Sequence, residues 1–164
     1  MNWTILETWR KSWAVSEKVK ATSANKTQRA DQTVLAASLE ELSMGKGRIG
    51  NVIRGLPILV LTTKGRKTGL SRQNALMYLP QGKDFVVIAF NLGDEKHPAC
   101  WVNLRAEPTA SVQIADSHYT VRAREAEGDE REKLWQAIAE KNSDYEQYRT
   151  WTSRRIPVVI LERR

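Results

Sequence analysis

The chain has 164 residues, of which 41% are hydrophobic and 27% are charged, and its formal net charge is +7. This length fits one domain with a sizeable core, and the composition is that of a soluble globular protein. No apolar run approaches the ~18 residues of a transmembrane helix, so no membrane span is predicted. The single cysteine, Cys100, excludes an internal disulfide framework. Because the charged N-terminal segment also lacks the features of an export signal, we expect a cytoplasmic protein.

The positive charge is concentrated in one segment. Between Ser43 and Lys83 there is no Asp or Glu, but there are eight Lys and Arg residues. A local positive field of this kind indicates an anionic partner, which is a phosphorylated cofactor, nucleic acid or a membrane surface. A solvated basic face is the alternative, and charge alone does not separate the two.

Residues 1–42 are predicted to form an N-terminal helical extension. Ile5, Leu6, Trp9 and Trp13 recur at helical spacing, so they share one face of an amphipathic helix. Packing of this helix on the barrel as a lid is favoured. A helix with tryptophans and lysines can also lie on a membrane surface, so a peripheral contact at the inner face of the membrane is the alternative.

Residues 43–164 are predicted to form a second, α+β region. Short β-forming runs separated by turn residues predict about six strands in meander order. These runs are Pro57–Thr63, Ser71–Leu79, Asp84–Phe90, Ala110–Ile114, Tyr119–Arg124 and Ile156–Leu161. Helices are predicted over His97–Ala106, after a capping box at Asp129-x-x-Glu132, and at a short turn with Tyr145 and Tyr148. This order favours a small, mostly antiparallel, barrel-like sheet.

Two motifs fail on their context. Gly45-x-Gly47-x-x-Gly50 matches a dinucleotide-binding fingerprint, but it follows a predicted helix and no βαβ unit surrounds it. His97 and Cys100 have the spacing of metal ligands, but no further ligands complete a set, so no metal site is predicted. A Cys–His nucleophile pair is the alternative to a simply buried cysteine. Nucleic-acid binding ranks last, because the cations are not interleaved with exposed aromatic residues.

The segment Lys64-Gly65-Arg66-Lys67-Thr68-Gly69 is the sharpest local feature. Glycines allow a tight turn that exposes backbone N–H groups, and Arg72 follows on the next strand. Crowded cations repel one another unless an anion neutralises them, so a phosphate-bearing ligand is favoured over a solvated hairpin tip.

Tyr145 and Tyr148 form a second candidate feature. They are three residues apart, so on a helical turn both side chains point the same way. Two phenols on one face can line an aromatic pocket and donate protons. Half-buried core tyrosines are an equally good reading of this pair.

Four motifs in register resemble the deazaflavin-dependent nitroreductase family, over about residues 40 to 162. They are Gly55-Leu-Pro57-Ile-Leu-Val-Leu-Thr62-Thr63-Lys-Gly65-Arg66-Lys67-Thr68-Gly69 with Arg72; Val87-Ile-Ala-Phe-Asn91-Leu-Gly93; His97-Pro98 with Trp101-Val-Asn103-Leu104-Arg-Ala106-Glu-Pro108; and Tyr145-x-x-Tyr148 with Arg155-Ile-Pro157-Val-Val. The resemblance implies a split β-barrel that binds coenzyme F-420, a cofactor with a deazaflavin ring, a phosphodiester and a polyglutamate tail.

The resemblance also implies which residues form the site. The phosphate and tail are expected on Lys64, Arg66, Lys67, Thr68 and Arg72. The ring and linker are expected against Asn74, Met77, Ala89, Phe90, Asn91, Ala99, Cys100, Trp101 and Asn103. Tyr145 and Tyr148 are expected to face the ring and the substrate as catalytic residues. Four positions depart from a nitroreductase member: Phe90 replaces Ser, Asn142 and Met77 replace Tyr, and Cys100 replaces Trp.

The function implied is an oxidoreductase that transfers a hydride from reduced deazaflavin to an electron-poor small molecule, which is an enone, a quinone or a nitro compound. Two alternatives keep the fold. One is a non-catalytic carrier of cofactor or lipid, and the other is a reductase that binds FMN in place of deazaflavin. The expected assembly is a monomer or a homodimer.

Overall fold

The computed structural model describes residues 52–53, 55–91 and 94–164. The predicted N-terminal extension, with its membrane-surface and lid alternatives, therefore lies outside the described residues, as does the Gly45–Gly50 loop. The division into residues 1–42 and 43–164 stays a prediction.

The described part of the chain contains eight strands and three helices. The strands are β1 (Val52–Ile53), β2 (Leu56–Lys64), β3 (Ser71–Met77), β4 (Leu79–Gln81), β5 (Asp84–Ile88), β6 (Thr109–Ile114), β7 (Ser117–Glu125) and β8 (Val158–Arg163). The helices are α1 (Ala99–Ala106), α2 (Gly128–Lys141) and α3 (Asp144–Tyr148).

The strands form one antiparallel sheet. Its order is β1-β2-β6-β7-β8-β5-β4, and β3 pairs with β2 beside this path. The β2–β3 hairpin is fully paired, from Ile58 opposite Met77 to Lys64 opposite Ser71. Within the described part of the chain, β3 has no strand partner other than β2, and its first three side chains, Ser71 to Gln73, are exposed. The α+β class and the mostly antiparallel sheet follow the prediction.

Two hydrophobic cores lie on opposite faces of β5 and β8, because successive side chains of a strand point to opposite faces. Along β5, Phe85 and Val87 belong to one core and Val86 to the other. The α1 core contains Cys100, Trp101 and Leu104 from α1, together with Leu59, Leu61, Val112, Val121, Val159 and Leu161 from the sheet. The α2 core contains Leu134, Trp135 and Ile138 from α2, together with Tyr145 and Tyr148 from α3, Val158 and Ile160.

All six predicted strands are present. The observed elements differ from the predicted ones in two short strands and in where the helices begin. The strands β1 and β4 were not predicted, because they have only two and three residues. Pro80 belongs to β4, an edge of the sheet where a missing N–H is tolerated.

The predicted capping box at Asp129 and Glu132 is wrong. Glu127 is the N-cap of α2 and makes no side-chain capping hydrogen bond. Gly128 adopts a φ of 52° and is the first residue of the helix, so the helix begins two residues earlier than expected. Asp129 therefore lies in the first turn, where its charge favours the positive end of the helix dipole.

Candidate active site

The cationic turn between β2 and β3 is closed by its own backbone. Gly65 N donates to Leu70 O at 2.8 Å, and Gly69 N donates to Gly65 O at 2.7 Å. Gly69 has a φ of 70°, a conformation that side chains with a Cβ rarely adopt. A Cβ on Gly65 would lie 3.0 Å from Thr68 Oγ1 and 3.1 Å from Leu70 O. Both glycines are therefore required by the shape of this turn.

The side chain of Asn103 on α1 forms hydrogen bonds to the turn and to β2. Its Oδ1 accepts from the Arg66 N–H at 3.1 Å, and its Nδ2 donates to Thr63 Oγ1 at 3.2 Å. Asn103 is 7% exposed and Thr63 is 2% exposed, so this amide bridge is shielded from water. The carboxamide that sequence reasoning assigned to the cofactor linker thus also fixes the backbone of Arg66.

The cations of the turn fit an anionic ligand. Lys64, Arg66, Lys67 and Arg72 are all exposed. Within the described part of the chain, no carboxylate forms an ion pair with any of them. Thr68 adds an exposed hydroxyl group. A phosphodiester and a polyglutamate tail would supply the missing negative charge, so the donor set of this chain fits coenzyme F-420.

The predicted ring-lining residues divide between the two cores. Ala89, Cys100 and Trp101 belong to the α1 core, whereas Phe90 belongs to the α2 core and Met77 packs against it. The remaining members are Asn74 and Asn91, which are half-buried, and Ala99, which is exposed at the start of α1. Because the neighbours Ala89 and Phe90 belong to different cores, the alternation of side chains along β5 continues into the segment after it.

Aromatic rings from α3 meet Phe90. The Tyr148 and Phe90 rings stack with centroids 4.0 Å apart and an interplanar angle of 9°. Tyr145 packs edge-on against Tyr148 at 5.2 Å, and Trp151 lies 5.0 Å from Tyr148. Tyr145 and Tyr148 are each 5% exposed. The two tyrosines share the expected side of α3, and their catalytic role stays a prediction.

The chemistry of His97 and Cys100 does not favour a nucleophile pair. Burial and the nearby Arg154 and Arg105 lower the pKa of His97, while Glu125 opposes them. Burial raises the pKa of the Cys100 thiol. The thiol is therefore held protonated, and a protonated thiol is a poor nucleophile.

Sequence reasoning missed Arg154 and Glu95. The Arg154 guanidinium donates to backbone carbonyls of the segment after β5, and Glu95 accepts from Thr152 and Ser153. The partners are 57 to 65 residues apart in sequence. No motif could have indicated them, because backbone carbonyls are present at every position of a chain.

Arg154 also lines an open cleft of about 670 Å³ beside the start of α2. The other arginines of this cleft include Arg149, whose Nη2 lies 3.6 Å from Glu132 Oε2, and Arg155, whose Nε lies 3.9 Å from Glu125 Oε1. Carboxylates thus already offset much of the positive charge of this cleft. The cationic turn, in contrast, lacks such partners in the described residues.

The comparison with known protein families identifies the family of this chain. The sequence model of the F420H(2)-dependent quinone reductase family matches residues 37–163, which is most of the chain and includes every predicted site residue. The chain belongs to this family. The predicted oxidoreductase class and the predicted cofactor, coenzyme F-420, are thereby confirmed, and FMN and a non-catalytic carrier find no support.

Individual members agree with this assignment. An F420H(2)-dependent quinone reductase of Mycobacterium tuberculosis is 36% identical over 122 residues, which are 72% of this chain and 82% of that enzyme. The solved structure of the F420-H2 dependent reductase FDR-A is 41% identical, with a TM-score of 0.60, and the match covers 65% of this chain and 94% of that one. This likeness confirms the split β-barrel.

A second solved structure is described as a domain-swapped dimer. It is 36% identical, with a TM-score of 0.62, and the match covers 77% of this chain and 96% of that one.

Among the helices of the described residues, none combines the length and the hydropathy of a membrane span. The cytoplasmic location and the peripheral membrane contact stay predictions.

Proposed function

We propose that this family member reduces quinones with reduced coenzyme F-420, through the cationic turn and the aromatic group around Tyr148. The observation that carries the proposal is the family match over residues 37–163, with the exposed cationic turn inside it. The matched relatives, which are named as quinone reductases, support a quinone as the acceptor.

The cationic turn between β2 and β3 binds the anionic part of the cofactor. The guanidinium groups of Arg66 and Arg72 offer paired donors for phosphate or carboxylate, Lys64 and Lys67 add point charges, and Thr68 adds a hydroxyl. Asn103 holds the Arg66 backbone in place before the ligand arrives. When it is bound, the reduced deazaflavin supplies the hydride.

The substrate side falls to the aromatic group. A quinone is a flat ring of the kind that packs against aromatic side chains, and here Phe90 and Tyr148 stack face to face while Trp151 is tilted by 50° to Tyr148. Reduction by a hydride leaves negative charge on a quinone oxygen, which must gain a proton. The Tyr145 and Tyr148 hydroxyls are the proposed donors. Nitro compounds and enones remain predicted acceptors, tested in the same assay.

The first test is a titration of coenzyme F-420 fluorescence with the apoprotein. Replacing both Arg66 and Lys67 by Ala should weaken binding by about tenfold, because two exposed charge contacts are worth about 0.5–1 kcal/mol each. The loss should shrink as salt is added. Lys83→Ala is the control, since Lys83 is an exposed cation on another turn. Equal affinities for the double variant and the wild type would remove the turn from the cofactor site.

The second test separates binding from chemistry. Tyr148→Phe keeps the ring that stacks on Phe90 and removes only the hydroxyl, so cofactor affinity should stay unchanged while kcat for quinone falls by about 10²-fold. Single-turnover kinetics with reduced cofactor measures the step directly. An unchanged rate in both Tyr145→Phe and Tyr148→Phe would exclude the tyrosines as proton donors.

The domain-swapped neighbour supports a homodimer as the assembly. Sedimentation at several protein concentrations distinguishes the dimer from the monomer. A single species of 18.7 kDa throughout the series would contradict it.

A further inference from the structure

The described residues of the segment that follows β5, which are 89–91 and 94–98, contain no strand and no α-helix. Asn91 adopts a φ of 52°, and its Nδ2 donates to Lys96 O at 2.8 Å. Lys96 N donates to Asp94 Oδ1 at 2.8 Å. Ala89 and Phe90 are buried, and Ala89 N donates to Pro157 O at 3.0 Å, so the start of the segment is held by the rest of the protein. Residues 94–96 are exposed, and their local contacts do not by themselves fix their position. Ala89, Phe90 and Asn91, which are predicted cofactor residues, lie in this segment.

Arg154 connects this segment to the chain before β8. Its Nε donates to Asp94 O at 2.8 Å, its Nη1 donates to Ala89 O at 3.3 Å, and its Nη2 donates to Phe90 O. Its Nη1 also lies 3.3 Å from His97 Nδ1. All three nitrogens of one planar group are therefore used, and they fix three carbonyls and an imidazole relative to one another.

Glu95 makes the reverse connection. Its Oε1 accepts from Thr152 Oγ1 at 3.2 Å and from Ser153 N at 3.1 Å, and its Oε2 accepts from Ser153 Oγ at 3.1 Å. These two sets of contacts join residues 94–97 to residues 152–154. The second stretch follows directly after α3 and Trp151, so the position of Phe90 is tied to that of Tyr148.

We infer that Arg154 is a positioning residue, which holds the segment after β5 so that Ala89, Phe90 and Asn91 meet the cofactor in a fixed arrangement. This inference rests on the proposed function. A guanidinium is needed because its donors are spread in a rigid plane, whereas a lysine ammonium offers its donors from one nitrogen. Arg154 acts through backbone carbonyls and does not itself touch the cofactor.

The test uses Arg154→Ala and Arg154→Lys, with Arg155→Ala as the matched control. Arg155 is an exposed neighbour whose acidic partner is Glu125, and no hydrogen bond joins it to the described residues of the segment after β5. Hydrogen exchange is measured in the apoprotein, and cofactor affinity is measured by fluorescence. Both Arg154 variants should speed exchange at residues 89–97 and weaken affinity by about tenfold, because the cofactor must then order a segment that Arg154 holds in the wild type.

Chemical rescue gives a result that a general loss of stability would not give. Because Arg154 lines an open cleft, guanidinium can reach the gap left by Arg154→Ala. Millimolar guanidinium, far below unfolding concentrations, should slow the exchange again and restore affinity for Arg154→Ala alone. Wild-type affinity in Arg154→Lys would overturn the inference, and so would an Arg155→Ala variant that behaves as Arg154→Ala does. A wild-type protein that fails to bind coenzyme F-420 would instead overturn the proposed function.

Discussion

The bridge from Asn103 to the cationic turn makes a quantitative prediction. Asn103→Ala removes two hydrogen bonds, a part-buried one from the Arg66 N–H and a buried one to Thr63 Oγ1. Each is worth about 1 kcal/mol, and the buried Thr63 hydroxyl is left without its donor, so the free energy of unfolding should fall by about 2–3 kcal/mol. Thr63→Val removes one of these bonds, keeps the other and leaves the buried Asn103 Nδ2 without its acceptor, which predicts a loss of about 1–3 kcal/mol.

The same two variants separate stability from binding. In Asn103→Ala the Arg66 backbone must be ordered by the ligand, at about 1–2 kcal/mol for one residue, so coenzyme F-420 should bind about tenfold more weakly. In Thr63→Val the Arg66 bond persists, and affinity should stay within about twofold of the wild type. Urea unfolding and a fluorescence titration on the same preparations measure both quantities. The reasoning is refuted if the two variants lose affinity equally, or if Asn103→Ala binds as the wild type does.

Two further predictions concern the glycines and His97. Gly65→Ala should weaken cofactor binding, because its Cβ would crowd Thr68 Oγ1 and Leu70 O. Gly82→Ala should lower the free energy of unfolding by about 1–2 kcal/mol, because Gly82 has a φ of 60°, and should leave cofactor binding unchanged. Fluorescence titration and urea unfolding measure the two effects, and the reverse pattern would contradict both predictions. The pKa of His97 is lowered in the folded protein, so the unfolded chain binds a proton more readily and stability should fall as pH drops below about 6.5 towards the folded pKa. His97→Gln should flatten that slope in urea unfolding at several pH values; an identical slope would show that His97 does not titrate there.

The main strands and the cationic turn could be predicted from the sequence, because their causes are local. The runs that became β2 and β8 are rich in β-branched residues, and both are buried along most of their length. The turn between β2 and β3 needs Gly65 and Gly69 for steric reasons that the residue types themselves express. The resemblance to a known family then supplied the cofactor, which charge alone had left open.

The connections across the site could not be predicted, because they join distant parts of the chain. From the sequence, Arg154 is expected to be a surface cation like its neighbour Arg155. In the structure it is half-buried, and it donates to backbone carbonyls of residues about 60 positions away in the sequence. The sequence predicts the Asn103 side chain as a ligand contact. Its hydrogen bonds to Thr63 and Arg66 could not be predicted, because they form only when α1 packs on β2. The start of α2 was predicted wrongly because glycine is a poor helix former, yet the helix begins at Gly128.

The exposed edge of β3 gives the positive charge a second consequence. An unpaired strand edge is a template on which another chain can add a strand, and proteins commonly discourage this with charged side chains. Arg72 lies on that edge in the described sheet, and Lys64 lies at the adjoining end of β2. Two copies approaching edge to edge would bring these cations together, so the residues that await an anion also disfavour aggregation. Variants that neutralise the turn therefore carry a solubility risk that is independent of catalysis.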